Sequence, residues 1–173
     1  MIDEIHTARL LLSRPHPDDW ENFLLMHQDP KVMATLGGLR ADAEIRSWFE
    51  RTLARWEKHG YGWWIVRDPA SGAFLGRGGL ANVVVEDKNE VEVGYGFLPE
   101  LWGRGLATEL ARESVRVGFH SLALPELVSF TQVTNLASRR VMEKAGFHYE
   151  RDFTYFNLPH VLYRQRRVSP QAT

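Results

Sequence analysis

The sequence contains no cysteine and no excess of charge of either sign. The absence of cysteine excludes disulfides, thiolate metal sites and a cysteine nucleophile. The 21 basic and 22 acidic residues leave a net charge of -1, so the chain offers no general attraction to nucleic acid or to acidic lipid. Its seven histidines form no i,i+4 pair and no cluster with carboxylates at ligand spacing, and we therefore expect no metal.

Long apolar runs are missing as well. No segment approaches the length of a membrane span, and Asp3 and Glu4 stand where a signal peptide would carry Lys or Arg. We therefore predict a cytoplasmic protein with no membrane partner. A chain of 173 residues is long enough for one domain with a full hydrophobic core. We predict that this domain spans residues 1–167 and that a disordered tail follows at 168–173.

Hydrophobic periodicity predicts a mixed α/β (α+β) fold in the order βααβββαβαββ, with a single central sheet of about seven strands flanked by helices. Of the four predicted helices, one starts at Pro17, one ends near Gly60, and two span Leu106–Leu122 and Asn135–Ala145. The predicted strands are Thr7–Arg14, Tyr61–Arg67, Ala73–Val85, Glu90–Leu98, Leu127–Val133 and two within 147–164.

Two features inside these elements leave alternatives open. Gly94 and Gly96 lie within a predicted strand, which indicates either a bulge or a close backbone approach. Four tryptophans are compatible with burial in the core or in the interface of a homodimer; they are Trp48, Trp56, Trp63 and Trp64.

The segment from Pro99 to Thr108 joins a predicted strand directly to a predicted helix. Its small residues leave backbone N–H groups uncovered at the helix N-terminus, where the helix dipole favours an anion, so the segment predicts a phosphate cradle. A Walker loop would end in Gly-Lys-Ser/Thr and a dinucleotide fingerprint would read G-x-G-x-x-G, and neither spacing is present. An isolated G-x-G is explained more simply by a tight strand-to-helix turn.

Two blocks of sequence resemble those of the GNAT superfamily of N-acetyltransferases. The loop resembles the pyrophosphate motif Q/R-x-x-G-x-G/A, with Gly105 and Ala107 at the small positions and Trp102 where Gln or Arg usually stands. Its form, WGRGLATE, is similar to the RimJ/RimL branch, whose known members acetylate the N-termini of ribosomal proteins. The second block, NLASRRVMEKAGF at 135–147, resembles N-x-x-S-x-x-x-x-E-K-x-G-F. The resemblance runs from about Thr7 to Arg164.

This resemblance implies a GNAT fold whose sheet splays between the fourth and fifth strands, with the pantothenate arm of acetyl-CoA in the gap. It implies an acceptor site between the early helices, the loop at 86–89 and the hairpin at 153–160. The backbone expected to bind the arm belongs to Gly96, Phe97 and Leu98. The amides expected to bind the pyrophosphate are those of Trp102, Gly103, Arg104, Gly105, Leu106, Ala107 and Thr108.

Acetyl transfer requires a neutral amine, a stabilised oxyanion and a proton for the departing thiolate. Because the chain has no cysteine, direct attack by the amine in a ternary complex is the simplest mechanism. The resemblance implies that Glu92 deprotonates the amine through water. An equally simple interpretation is that Glu90 and Glu92 line the solvent face of an alternating strand.

The proton for the thiolate has a less obvious source. The tyrosine that supplies it in many relatives would fall at Met142, which cannot donate a proton. The RimJ/RimL-like pattern implies the hydroxyl of Ser138. Because Ser138 shares a helix face with Asn135, we expect both residues to point at the thioester end of acetyl-CoA as catalytic and cofactor-binding residues. Alternatively, Asn135 caps the helix and Ser138 only occupies its first turn. Arg104, Arg139 and Arg140 are candidate phosphate ligands, with Arg104 the strongest of the three.

The sequence therefore predicts an acetyl-CoA-dependent N-acetyltransferase acting on a primary amine. The acceptor is a protein N-terminus or a small molecule such as an amino acid, a polyamine or an antibiotic. An α-amine has a pKa near 8 and lysine one near 10.4, so a weakly assisted site favours an α-amine. Two alternatives remain: a non-catalytic acyl-CoA-binding domain, and a nucleotide-binding module, which the missing Walker lysine disfavours.

Overall fold

The computed structural model describes residues 2–168. Its strands form one eight-stranded sheet in the order β1-β2-β3-β4-β5-β6-β8-β7. The strands are β1 (Glu4–His6), β2 (Leu11–Ser13), β3 (Trp63–Arg67), β4 (Phe74–Val85), β5 (Lys88–Phe97), β6 (Glu126–Gln132), β7 (His148–Tyr155) and β8 (Leu158–Arg166). The helices are α1 (Trp20–Gln28), α2 (Pro30–Met33), α3 (Asp42–His59), α4 (Leu106–Arg116) and α5 (Leu136–Lys144).

The N-terminal segment differs from the prediction of a single strand at 7–14. It forms the hairpin of β1 and β2, because the Thr7 side chain bonds the backbone of Leu10 and turns the chain between them. This extra strand raises the count from seven to eight. The predicted tail lies, apart from Val168, outside the described residues.

The helices otherwise follow their sequence signals. Helix α3 ends at Gly60, whose φ of 70° is left-handed and suits glycine. Helix α4 runs on into a π-helical turn at Val117–Ser121, which accounts for the predicted extent to residue 122. The short α2 was not predicted; it forms because Asp29 accepts hydrogen bonds from the amides of Lys31 and Val32.

The large aromatic side chains pack on both faces of the sheet. Trp56 and Trp64 are fully buried in the main core, and Trp63 is nearly so. Trp48 packs against the smaller cluster of α1 and α3. These side chains belong to the core and its margin, so they give no support to the homodimer, which stays a prediction. No helix of the described chain is long and apolar enough to cross a membrane.

The sheet opens between β5 and β6. These two strands are parallel and register through a single pair, Glu92 with Val128, whereas β4 and β5 pair without interruption. The alternative of a bulge at Gly94 and Gly96 is therefore wrong, and that of a close approach is confirmed. A Cβ on Gly96 would lie 2.6 Å from Met26 Cε, and one on Gly94 would lie 3.2 Å from a Trp63 ring carbon.

Candidate active site

A cavity of ≈ 1050 Å³ passes through the sheet at the gap between β5 and β6. Side chains alternate along a strand, so Glu92 and the hydrogens of Gly94 and Gly96 face α1 and α3. Tyr95 points the opposite way and contacts Ser138 of α5. The cavity therefore has one end on each face of the sheet, joined where the strands separate.

Most of the predicted site residues line this cavity. Leu98 and Arg104 do not, although their neighbours in the chain do. Those that line it are Glu92, Gly96, Phe97, Trp102, Gly103, Gly105, Leu106, Ala107, Thr108, Asn135 and Ser138. Residues 2–168 contain no group of three or more His, Asp or Glu side chains arranged to hold a metal ion.

The glycine loop presents its amides as the sequence predicts. Gly103 and Gly105 have φ values of 78° and 79°, which turn the chain sharply before α4. The helical bonding of α4 begins with the amide of Glu109, which donates to Gly105 O at 3.1 Å. Within the described residues, the backbone N–H groups of 103–108 have no protein acceptor outside the helix. They form an open anion site at a helix N-terminus, suited to a pyrophosphate.

One side chain from outside the loop and one within it hold the loop in place. Arg9 donates to the carbonyl of Arg104 at 2.8 Å and to the carboxylate of Glu109 at 2.7 Å. The half-exposed Trp102 donates its indole N–H to Phe97 O at 2.9 Å. The side chain of Arg104 is exposed to solvent and does not line the cavity. Its backbone N–H is therefore the group that can contribute to phosphate binding.

The backbone beside the gap corrects one expectation. Leu98 N donates to Leu75 O and Leu98 O accepts from Leu101 N, so both groups are used within the protein. In an antiparallel ladder, the backbone N–H and C=O groups of every second residue point to the same neighbouring strand. Those of Gly96, two residues before Leu98, therefore also point to β4. Tyr95 and Phe97 consequently direct their backbone groups into the gap. Of the three residues predicted to bind the pantothenate arm, only Phe97 has the required orientation, and because its carbonyl accepts from Trp102 Nε1, its N–H is the group left for the arm.

Glu92 lies on the cavity wall and not on a solvent-exposed face. Burial raises the pKa of its carboxyl to about 7, against the opposing effects of the Arg77 and Arg55 charges. Glu90, two residues earlier, is bonded to Arg164 at 2.8 Å. The interpretation that both glutamates face solvent is therefore wrong. A carboxylate with a pKa near neutrality is suited to accept a proton at physiological pH.

A buried cation lies beside Glu92. The Arg77 guanidinium stacks 3.9 Å from the Trp63 ring centre and 5.2 Å from that of Trp48. Its Nη2 lies 3.5 Å from Nε2 of His27, whose Nδ1 is 2.7 Å from Phe23 O and must donate to it. Burial, followed by the Arg77 charge, lowers the pKa of His27 to about 3, so the imidazole is neutral and its Nε2 accepts.

On the opposite face, Ser138 and Asn135 form a hydrogen-bonded group. The Tyr95 hydroxyl lies 2.9 Å from Ser138 Oγ and 3.1 Å from Ser138 O. Asn135 accepts from the amide of Ser138 and donates to Thr131 Oγ1, so it caps α5 and its side chain is held in place by bonds within the protein. Burial raises the pKa of Tyr95, which keeps its hydroxyl protonated. Met142, at the expected tyrosine position, is fully buried.

Several cavity residues were not found from the sequence. Tyr95 was detectable in principle, because it lies on the strand of Glu92 and points to the other face. Arg51 and Arg55 share a face of α3, but an exposed helix face carries the same spacing. No sequence pattern marks Arg77 as a site residue, because it lies between two glycines that provide no functional side chain.

One end of the cavity, where the resemblance implies the acceptor site, lies between the helices and the β7–β8 hairpin. Tyr155, Phe156 and His160 line it, as the resemblance implies. Residues 86–89 do not line it, which corrects that part of the expectation, and Glu86 pairs with Arg151 at 2.7 Å. Arg139 bonds Tyr163 and Val133 and is used internally, whereas Arg140 lines the cavity.

Known proteins match this chain over most of its length. A family model described as "Acetyltransferase (GNAT) domain" matches residues 9–148. The Bacillus subtilis protein YkkB is 32% identical over 83% of this chain and 84% of its own. The Aspergillus fumigatus FsC-acetyl coenzyme A-N(2)-transacetylase is 32% identical over 90% of this chain and 69% of its own.

Solved structures share the fold. An acetyltransferase from Agrobacterium tumefaciens superposes with a TM-score of 0.85 at 24% identity, over 96% of both chains. RimL, a ribosomal L7/L12 α-N-protein acetyltransferase in complex with coenzyme A, gives 0.77 at 14% identity, over 94% of this chain and 97% of its own. At these identities the likeness is one of fold alone.

Proposed function

This chain belongs to the GNAT acetyltransferase family and is an acyltransferase that uses acetyl-CoA, and on that premise we propose that it acetylates an α-amine with Glu92 as general base. The observation that carries the proposal is a partly buried carboxylate with a pKa near 7 on the wall of a cavity that also holds the anion-binding loop. Acetyl-CoA supplies the activated thioester carbon that the amine attacks.

Each residue has a role in direct transfer. Glu92 takes a proton from the amine, directly or through one water, as the C–N bond forms and the C–S bond breaks. With the Tyr95 hydroxyl donating to Ser138 Oγ, Ser138 keeps its own hydrogen and donates it in a hydrogen bond to the departing sulfur. The amides of 103–108 hold the pyrophosphate, and the backbone of Tyr95 and Phe97 holds the pantothenate arm in the gap. Because the chain has no cysteine to carry the acetyl group, the amine attacks the thioester directly and no acyl-enzyme forms.

An α-amine fits this base better than a lysine side chain does. At pH 7 roughly a tenth of an α-amine of pKa near 8 is neutral, against fewer than about one in a thousand lysines. A carboxylate with a pKa of about 7 can remove a proton from the first but not efficiently from the second. The acceptor is therefore a peptide N-terminus or a small α-amine, and the RimJ/RimL-like loop sequence supports the former.

The test follows thiol release from acetyl-CoA with a disulfide dye, in the presence of peptides with free N-termini, amino acids and polyamines. Because the protein has no thiol, it gives no background. We expect kcat/KM for an α-amine to rise with pH through about 7. Glu92→Gln should lower the plateau by roughly 10²–10⁴-fold and remove the rise.

The matched control is Glu90→Gln, which removes a carboxylate from the same strand and should keep the pH profile. An unchanged profile in Glu92→Gln would remove Glu92 from the mechanism. Acetyl-CoA binding without thiol release for any amine would instead favour a non-catalytic binding domain.

A further inference from the structure

Three arginines on the acceptor side of the cavity have no carboxylate partner within residues 2–168. Arg40, Arg51 and Arg55 all line it, and none forms an ion pair with another described residue. Arg46, on the same helix but outside the cavity, does pair, with Glu50 at 3.1 Å. Arg40 and Arg51 are exposed and Arg55 is half-buried, so their guanidinium groups are accessible to a ligand that enters the cavity. Like charges along one concave wall add their fields and attract an anion.

The carboxylates of the same wall do not balance these charges. Glu44, whose Oε2 accepts from the amide of Ala41 at 3.1 Å, is a single carboxylate against the three arginines. Glu92 is partly protonated near neutral pH, since its pKa is about 7. The wall is therefore electropositive at the pH at which Glu92 begins to act as a base.

The positions of Arg51 and Arg55 on α3 direct both side chains toward the cavity. Arg51 and Arg55 lie one turn apart on α3, or about 6 Å along its axis. Ser47 accepts from Arg51 at 2.7 Å and also lines the cavity, so Arg51 is oriented from within the wall. Burial raises the pKa of both Glu92 and Tyr155, and the charge of Arg55 opposes the rise in each, so Arg55 lies within electrostatic reach of the base and of the hairpin wall.

We propose that the acceptor is an amine that also carries an oxyanion, a carboxylate or a phosphate, bound by Arg51 and Arg55 while the amine reaches Glu92. Guanidinium groups bind both oxyanions through paired N–H donors. The same wall would repel a polyamine. The inference rests on the proposed function, because it names the acceptor of that reaction.

The experiment compares acceptors that differ only in the anion. L-alanine and L-phenylalanine are measured against their amides, and phosphoethanolamine against ethanolamine, with spermidine as the cationic case. The amides have the less basic amines, so their intrinsic reactivity at neutral pH is higher. We nevertheless expect kcat/KM at least tenfold higher for the anionic members, and the two kinds of pair separate carboxylate from phosphate. Equal or greater activity with the amides or spermidine would overturn the proposal.

A variant links the preference to the wall. Arg51→Gln should raise KM for the anionic acceptors at least tenfold, with less than a twofold change for the amides and for acetyl-CoA. Arg46→Gln, on the same helix outside the cavity, should change neither. Equal effects of Arg51→Gln on anionic and neutral acceptors would also overturn the proposal.

A binding measurement separates this inference from the proposed function. Calorimetry in the presence of CoA compares N-acetyl-L-phenylalanine with its amide. We expect the carboxylate to bind at least tenfold more tightly and Arg51→Gln to remove the difference, whether or not turnover is detected. Equal binding of the two ligands would contradict the anionic acceptor even if α-amines are acetylated. Absence of thiol release, with the binding preference intact, would contradict only the proposed reaction.

Discussion

The two faces of β5 offer a ligand different kinds of contact. On the α4 and α5 side, the groups available are mostly backbone amides and a hydroxyl, presented by the glycine loop and Ser138. On the α1 and α3 side, they are charged and aromatic side chains, among them Glu92 and Arg55. A ligand with invariant phosphates is suited to backbone recognition, whereas an acceptor that varies among enzymes requires side chains that can vary too.

The largest expected effect tests the backbone side of this comparison. Gly105→Val places a β-branched residue at a φ of 79° and a side chain at the anion site. We expect acetyl-CoA affinity to fall at least about 100-fold, or ~3 kcal/mol, as measured by calorimetry. Gly72→Val is the control, since Gly72 has a φ of 71°, open space and no place in the cavity.

Both glycine variants should lose roughly 1–2 kcal/mol of stability through left-handed strain. Only Gly105→Val should lose affinity. Equal acetyl-CoA binding in the two would show that the loop amides are not the phosphate site.

The second prediction concerns the side-chain face and its pH dependence. The pKa of Glu92 is raised from 4.5 when unfolded to about 7 when folded. Its ionisation therefore destabilises the fold progressively as pH rises from about 4.5 through 7. Glu92→Gln should be more stable than the wild type by roughly 2 kcal/mol at pH 8.5, after allowance for water in the cavity, and nearly equal to it at pH 4.5. Denaturant unfolding at both pH values measures this difference.

If the difference in unfolding free energy between the two proteins were the same at pH 4.5 and at pH 8.5, burial would not disfavour the ionised form of Glu92. The α1 and α3 face of β5 would then hold no carboxylate whose ionisation costs folding free energy. A difference that grows as the pH rises from about 4.5 through 7 would support the buried charge.

The same contrast explains what sequence reasoning reached. Gly103, Gly105 and the Asn135 block lie in two short segments, so their spacing predicted the loop and the helix start, and the family resemblance that they carry implied the gap in the sheet. Backbone recognition is local, and local patterns survive in sequence. The short turn at Thr7 was missed for a related reason: its hydrogen bonds involve a side chain inside a run that otherwise resembles one strand.

The acceptor side could not be predicted in the same way. Arg77, Arg55 and His27 come from three separate elements and meet only after the sheet and helices have packed. None of them carries a local signal, since arginines at helical spacing are usual on solvated faces. The pairing of Asn135 with Thr131 was equally hidden, because it depends on how α5 sits against β6.

A third prediction concerns the hydroxyl at the gap. Ser138→Ala should lower kcat about tenfold, because a hydrogen bond to the developing thiolate contributes ~1.4 kcal/mol. Tyr95→Phe should have a similar effect, and the double variant should be no worse, since the two hydroxyls act through one hydrogen bond. Single-turnover kinetics at saturating acetyl-CoA measures it. Ser114→Ala, which removes a buried hydroxyl outside the cavity, should leave kcat unchanged; strictly additive losses for Ser138 and Tyr95 would assign them separate roles.

The smallest expected effect tests how far the cofactor side depends on side chains at all. Arg9 bonds the carbonyl of Arg104 and the carboxylate of Glu109, but it is itself half exposed. Such exposed contacts contribute roughly 0.2–1 kcal/mol, so Arg9→Gln should weaken acetyl-CoA binding about threefold. Arg14→Gln breaks the surface pair with Glu57, far from the loop, and should change nothing. A loss from Arg9→Gln as large as that from Gly105→Val would mean that the loop is held by a distant side chain, and the cofactor face would then depend on tertiary packing as much as the acceptor face does.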